Sequence, residues 1–403
     1  MTRFGAGFGM DADLVRAGEV AARAALQRLS GQRPDLACVF VSGSDPSTVA
    51  AAGERAAAIT GAAAVIGCSA PGVLGAGRAA EATSAVSVWC AVLPQVRVRA
   101  FHLEVMPADG GMAVVGLPER LDDDAVGVLL ADPWSFPIDG FVERSNAALP
   151  GLPFVGGLAA GWTGRGSTRL FLDDATLDRG AVGVLLGGPV GARPVVSQGC
   201  RPVGPAMTIT AADGNVILEL AGTPALTKIA EILSTLDPAD QALATSGLQV
   251  GIAMDEYADQ HDHGDFLIRG IAGTDDDRRG LVVGDLVEVG QTVRLQLRDA
   301  AAADADLRAT LQRFRSAGDL DAIEGALLFS CNGRGGQLFP RVEHDLATVS
   351  DQLAVQPVAG FFAAGEIGPV GGRNHVHGFT ASVLAFGSGS VADRGTNPGR
   401  LTA

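Results

Sequence analysis

Lysine is almost missing from this chain. Lys228 is the only one, so nearly all of the 30 basic residues are arginine, and 45 Asp and Glu leave a net charge of −15. Binding to nucleic acid needs a basic face that displaces counterions from phosphates, and anionic membrane surfaces ask for the same. No basic stripe rescues either class of partner. Cysteine is sparse: Cys38, Cys68, Cys90, Cys200 and Cys331 are odd in number, scattered and without a CxxC pair. That usage fits a reducing compartment and supplies no zinc site. No run of about 18 apolar residues exists, and "MTRFGAGFGMDADL" lacks a basic start followed by an apolar segment. Neither a membrane span nor a signal peptide is expected, and the expected location is the cytoplasm. Enzyme fingerprints are missing too. No GxGxxG follows a strand with the acidic residue a dinucleotide fold needs, no GxxxxGK[ST] occurs, and Ser42, Ser69 and Ser330 lack a GxSxG context. No cofactor is expected.

Glycine, by contrast, is plentiful at 55 of 403 residues, and apolar residues make up 47% with a positive mean hydropathy. The chain is globular and long enough for two domains or one large duplicated one. Three glycine triplets share the spacing Gly-x4-Gly-x2-Gly: Gly67, Gly72, Gly75; Gly156, Gly161, Gly164; and Gly360, Gly365, Gly368. A fourth match at Gly183, Gly188 and Gly191 lacks matching flanks and is accidental. The other three sit in the same order of elements: strand, helix, short strand, glycine turn, strand. In the first, "LACVFVS" precedes the helix "DPSTVAAAGERAAAIT", then "AAVIG" enters the turn and "AVSVWCAVL" leaves it. The second runs from "AVGVLLADP" through a helix at 139–148 to "GAVGVLLGG". The third runs from "GALLFSC" through a helix at about 339–353 to "GFTASVLAF". Residues 200–324 alternate like an antiparallel sheet. The expected fold is mixed α/β, with internally repeated units in two sheet-based lobes and helices on the sheet faces.

The strings "VIGCSAPGVLGAG", "CNGRG" and "GFFAAGEIG" resemble the FIST proteins, named for F-box and intracellular signal transduction. The resemblance implies a FIST N-like domain at 1–200, a FIST C-like domain at 201–390 and a loose tail at 391–403. It also implies a sensory protein that binds a small polar or anionic ligand such as an amino acid, with a signalling protein as a possible partner. No F-box, kinase, cyclase or receiver motif accompanies it.

The residues that would hold such a ligand are Cys331, Asn332, Gly333, Arg334, Gly335, Gly365, Glu366, Arg373 and His377. The glycine turn of "CNGRGG" lets backbone N–H groups approach an anion, and a helix start behind it would add positive charge. Arg334 offers a planar fork for a carboxylate; the alternative is a plain turn with a solvated arginine. Glu366 replaces apolar Val73 and Trp162 of the other two turns. Either it accepts a ligand ammonium, or it pairs with Arg373 and closes the loop. Cys331, near that helix start and Arg334, has the setting of a reactive thiol. A thiol-dependent enzyme with His375 or His377 as base is the alternative function, and a partner-binding scaffold is a third. Cys68 carries less weight, because its counterparts are Gly157 and Phe361. The histidines of "NHVH", with His344 and Glu366 nearby, and the acidic "DQHDHGD" (259–265) are read as ordinary polar segments, with no metal expected.

Overall fold

The computed structural model describes residues 1–108, 111–256, 258 and 264–388. The first stretch of chain runs β1 (Arg3–Gly9), α1 (Leu14–Gln27), β2 (Leu36–Ser42), α2 (Pro46–Thr60), β3 (Ala64–Ser69), β4 (Gly72–Gly75), β5 (Arg78–Glu81) and β6 (Ala85–Val92). The next runs β7 (Arg97–Ala108), β8 (Gly111–Val115), β9 (Asp124–Ala131), α3 (Ile138–Ala148), β10 (Phe154–Leu158), β11 (Leu170–Leu172), β12 (Ala175–Leu177) and β13 (Ala181–Gly187). After β14 (Ala192–Gln198) comes a different region. It holds β15 (Cys200–Asp213), β16 (Val216–Leu220), β17 (Thr223–Pro224), α4 (Ala225–Thr235), α5 (Pro238–Gly247), β18 (Leu248–Ala253), β19 (Phe266–Asp275), β20 (Gly280–Val283) and β21 (Thr292–Arg298). The chain ends in α6 (Ala300–Ala317), β22 (Ala322–Cys331), α7 (His344–Leu353), β23 (Val358–Ala363), β24 (Glu366–Val370), β25 (Arg373–His377) and β26 (Thr380–Ser388).

The fold is mixed α/β, and its strands form four sheets. Three sheets have one strand order: β1-β6-β2-β3-β11-β12, β8-β7-β13-β9-β10-β24-β25 and β14-β26-β22-β23-β4-β5. Each has one parallel pair at its centre, β2 with β3, β9 with β10 and β22 with β23. Each also takes its last hairpin from elsewhere in the chain: β11 pairs with β3, β24 with β10 and β4 with β23. The first glycine of every triplet sits in the second parallel strand and faces a carbonyl of the first. A Cβ there would lie 2.1 Å from Val39 O at Gly67, 1.9 Å from Leu129 O at Gly156 and 1.7 Å from Leu328 O at Gly360. The recurring glycine therefore permits close approach of the strand pair.

Mixed-face strands explain the core. In "RFGAGFG", Phe4, Ala6 and Phe8 point inward, while Gly5, Gly7 and Gly9 let α1 lie directly on the strand; a Cβ at Gly7 would meet Ala21 O at 2.0 Å. The inner faces of all three sheets share one core, with Phe40 and Trp89 from the first, Val128 and Val184 from the second, and Phe329, Phe361 and Phe386 from the third. Trp89 stacks between Phe4 and Phe386 at 5.4 and 5.0 Å and donates its indole N–H to Pro357 O at 3.1 Å. Helices cover the outer faces: α1 and α2 on the first sheet, α3 on the second, α6 and α7 on the third. The side chain of Asp299 caps α6 by accepting from Ala301 and Ala302 N–H, and Asp45 caps α2. Three sheets enclose one core, and the fourth sheet has a core of its own. The fourth sheet is antiparallel, and its β15–β16 pairing closes it on itself around Val203, Ile217, Val250 and Leu295. No helix among the described residues is long and apolar enough to cross a membrane.

Because β4 is completed by β23 and β10 by β24, a fragment of residues 1–199 should not reach its native fold alone. Co-expression with residues 200–403 should recover a soluble complex, read by circular dichroism and gel filtration. A cooperatively melting 1–199 fragment contradicts this interlocking.

Candidate functional site

Cys331 ends β22 opposite Ala363 of β23, and Asn332 N–H donates to Ala363 O at 2.8 Å. The chain then makes consecutive turns: Arg334 N–H donates to Cys331 O, and Leu338 and Phe339 N–H donate to Gly335 O. The helix α7 begins only at His344, so the expected helix start directly behind the glycines is absent and lends them no dipole. The turn does bind an anion, and the chain itself supplies it. Glu81 of β5 accepts from Gly336 N–H at 2.7 Å, and a Cβ on Gly335 would fall 2.1 Å from its carboxylate. Burial raises the Glu81 pKa, and the Gly336 N–H draws it partly back.

Arg334 is fully buried, with 0% exposure, and its fork is already closed. Its Nε and Nη2 donate to the two oxygens of Asp345 at 2.7 and 3.0 Å, while Ser330 Oγ donates to the same carboxylate at 2.6 Å. His344 Nδ1 lies 3.1 Å from Asp345, its Nε2 2.8 Å from Asp304, and its ring stacks on Phe339 at 3.6 Å. Burial works to raise the Asp345 pKa, but the Arg334 charge and these hydrogen bonds outweigh it and hold the carboxyl far below its ordinary range. The solvated-arginine reading is thereby excluded, and so is an open fork waiting for a ligand.

Glu366 opens β24 and is also fully buried. Its Oε2 accepts from Thr380 N–H at 3.0 Å and Thr380 Oγ at 2.8 Å. Its Oε1 is enclosed, and the Cys331 thiol is the only further hydrogen-bonding group beside the carboxyl among the described residues. Burial pushes the Glu366 pKa up to about 8, against the Thr380 hydrogen bonds and the Arg334 charge. The Cys331 thiol neighbours this carboxyl. Burial first, then Glu366, raises its pKa far above the ordinary value, although Gly333 N–H approaches the sulfur at 3.4 Å. The expected thiolate setting is therefore reversed: the neutral thiol is favoured, because desolvation outweighs the amide and arginine contributions.

The hairpin settles the other positions. Its register pairs Glu366 with His377 and Val370 with Arg373, so exposed Arg373 stands at the far end, roughly 13 Å along the strand, and does not close on Glu366. His377 is buried; its Nε2 lies 3.0 Å from Gly368 O, which can only accept, so that nitrogen carries the proton. Burial lowers the His377 pKa to about 3 and, with Arg373 and Arg269, that of His375 to about 4. Gly365 O accepts from Leu158 N–H and fastens the turn to β10. Asn332, like Arg373, is exposed. Cys68 is buried with its pKa raised, first by that burial. Among the described residues no group of His, Cys, Asp and Glu is arranged for a metal ion. Most of "DQHDHGD" (259–263) lies outside the described residues.

Five residues with a part here carried no local sequence signal: Glu81, Arg298, Asp345, Phe379 and Thr380. Arg298 Nη2 donates to Gly333 O at 2.6 Å, and its guanidinium carbon sits 4.7 Å from the centre of the Phe379 ring. Phe379 has φ 59°, which a bulky side chain rarely adopts.

The buried polar cluster thus lies where the turn after β22 meets Arg298 of the closed antiparallel sheet. The FIST N domain model matches residues 35–223 and the FIST C domain model residues 225–369. The chain belongs to the FIST family, whose domains are sensory and signal-transduction modules. It is 43% identical over 387 residues to an uncharacterised protein of Mycobacterium tuberculosis strain H37Rv, covering 95% of this chain and 99% of that one. It is 41% identical over 387 residues to an uncharacterised protein of Mycobacterium bovis, covering 95% and 98%.

Removing Asp345 strands a buried charge, so Asp345→Asn should cost about 3–5 kcal/mol in chemical denaturation. The double change Asp345→Asn with Arg334→Met should cost less than the single one; equal or greater loss contradicts the pairing. Stability should also report Glu366. The native state keeps its proton up to about 8 while the unfolded chain releases it near 4.5, so this group's contribution is lost as pH rises between those values. Glu366→Gln should therefore gain on the wild type steadily across that window; a constant difference contradicts a raised pKa.

Proposed function

We propose that the protein is a sensor that binds a small polar or anionic molecule at the Cys331–Glu366 cluster of its C-terminal part. In this reading residues 201–390 carry the ligand, residues 1–200 serve mainly as scaffold, and a signalling protein receives the change. The observation that carries it is the fully buried Glu366 carboxyl, whose Oε1 meets no hydrogen-bonding group beyond the neighbouring Cys331 thiol. An unsatisfied buried polar group costs about 1–3 kcal/mol, and such a cost is retained where a ligand later meets it. The five unpaired cysteines support a reducing, cytoplasmic setting. The matching order of the three sheets and their glycines supports descent from one repeated unit. Arg334 holds the turn in place through Asp345 and does not grip the ligand. The thiol-enzyme reading loses its support with the raised Cys331 pKa and the engaged Nε2 of His377.

Thermal-shift scans against amino acids, short peptides and small organic acids should give a dose-dependent rise in melting temperature for at least one class. Glu366→Ala should abolish that rise. In the wild type the rise should shrink as pH passes about 8, whereas in Glu366→Gln it should persist. The groups facing Glu366 are Cys331, Arg334, His377 and Thr380, and Cys331 and Arg334 titrate well above this range. No rise with any class contradicts the reading.

A further inference from the structure

The strand β8 ends the second sheet, and among the described residues no strand pairs with its outer side. A sheet edge is an open row of backbone donors and acceptors, which proteins blunt with short strands, charge or cover. Other edges of this molecule are treated so. β12 has three residues, β5 carries Arg78 and Glu81, the latter bound to Gly336, and β25 carries Arg373. β8 has none of these devices. From Val105 to Pro118 the sequence holds one charged residue, Asp109, in a chain of net charge −15. Met106, Met112 and Val115 of this hairpin are 51%, 66% and 39% exposed.

One proline fixes which backbone groups are free. β8 runs antiparallel to Glu104–Ala108 of β7, with Pro107 opposite Met112 and Val105 opposite Val114. In such a ladder, pairs that exchange two N–H···O bonds alternate with pairs that exchange none. Pro107 has no N–H, so its pair with Met112 is of the second kind, and by alternation so is Val105 with Val114. Met112 and Val114 therefore turn their N–H and C=O groups away from β7, towards the open edge.

A second copy of β8, antiparallel about a two-fold axis at Ala113, satisfies these groups. Met112 then faces Val114 of the second copy and Val114 faces its Met112, each pair exchanging two N–H···O bonds. An interface on a two-fold axis must be complementary to itself, and this register is. Across the joined strands one face reads Met106, Ala113, Ala113, Met106, and the other reads Pro107, Met112, Val114, Val105. Glu104, one strand in, is opposed by Ala108 and not by its own copy. Net charge repels two copies of this chain in general, and along this edge they meet without opposing like charges. We propose that β8 is a homodimer interface, at which the second sheets of two copies join edge to edge with Ala113 on the axis.

Sedimentation velocity of the full chain from about 1 to 100 µM should show a reversible equilibrium between the 40.9 kDa chain and twice that mass. Ala113→Lys sets like charges face to face and should weaken dimerisation about 10-fold or more, as should Ala113→Glu. An equimolar mixture of the two should recover the dimer, because opposite charges then meet at the axis. Met112→Pro removes an edge donor without touching the β7–β8 bonds, and it should weaken the dimer as well. A wild type that stays at the single-chain mass overturns the proposal, as does a dimer unchanged by all three folded variants. A mixture that fails to recover the dimer overturns the register at Ala113. Assemblies that grow past the dimer overturn the closed two-fold pairing. Hydrogen exchange on the wild type needs no variant: the amides of Met112 and Val114 should gain protection with concentration, and equal exchange at both ends of the range overturns the use of this edge.

Discussion

The fork of Arg334 closes on Asp345, and the state of every other group in the cluster follows from that pairing. A buried guanidinium demands a counter-charge, and two carboxyls were within reach in principle. Asp345 takes it, helped by Ser330 and His344. Glu366 is consequently left to desolvation and Thr380, and desolvation prevails. Its neutral carboxyl in turn stands beside Cys331, whose thiol is also kept neutral. Had Arg334 turned to Glu366 instead, the same residues would form an ionised, reactive pair. The division of labour is thus electrostatic: one arginine–carboxylate pair braces the turn, and burial holds the second carboxyl's pKa up.

Support for this arrangement comes from distant parts of the chain. Glu81 belongs to a hairpin of the first stretch, yet it fills the glycine turn of the last and completes the third sheet through β4 and β23. Gly365 is fastened to β10 of the second sheet. Arg298 arrives from the closed antiparallel sheet. A disturbance at the cluster therefore touches three of the four sheets, the second, the third and the closed antiparallel one. The mutual exchange of hairpins also makes such a change hard to confine to one sheet.

Local patterns in the sequence carried much of the fold. The three strand–helix–strand orders and their glycines are visible because apolar strands and close-approach glycines leave period and spacing behind. What stayed hidden had a physical cause in each case. "RFGAGFG" does not look like a strand, because the face beneath α1 must be all glycine. The closure of the last sheet depends on β15 pairing with β16 past bulges that no pattern announces. Of the segments "CNGRG" and "GFFAAGEIG", the structure brings Cys331, Arg334 and Glu366 close to one another. The partner of Arg334 lies 11 residues on, in a helix, and the anion of the glycine turn lies 255 residues away. Contacts of that range are decided by sheet topology, so the charge states of Cys331 and Glu366 were not legible either.

The neutrality of the Glu366 carboxyl is the claim on which the account depends, and it can be observed directly. In protein labelled with carbon-13 at glutamate carboxyls, the Glu366 resonance can be assigned by its loss in Glu366→Gln and followed from pH 5 to 9. The account predicts the shift of a protonated carboxyl at pH 6.5, with a midpoint near 8. An ionised Glu366 already present at pH 6 would contradict it.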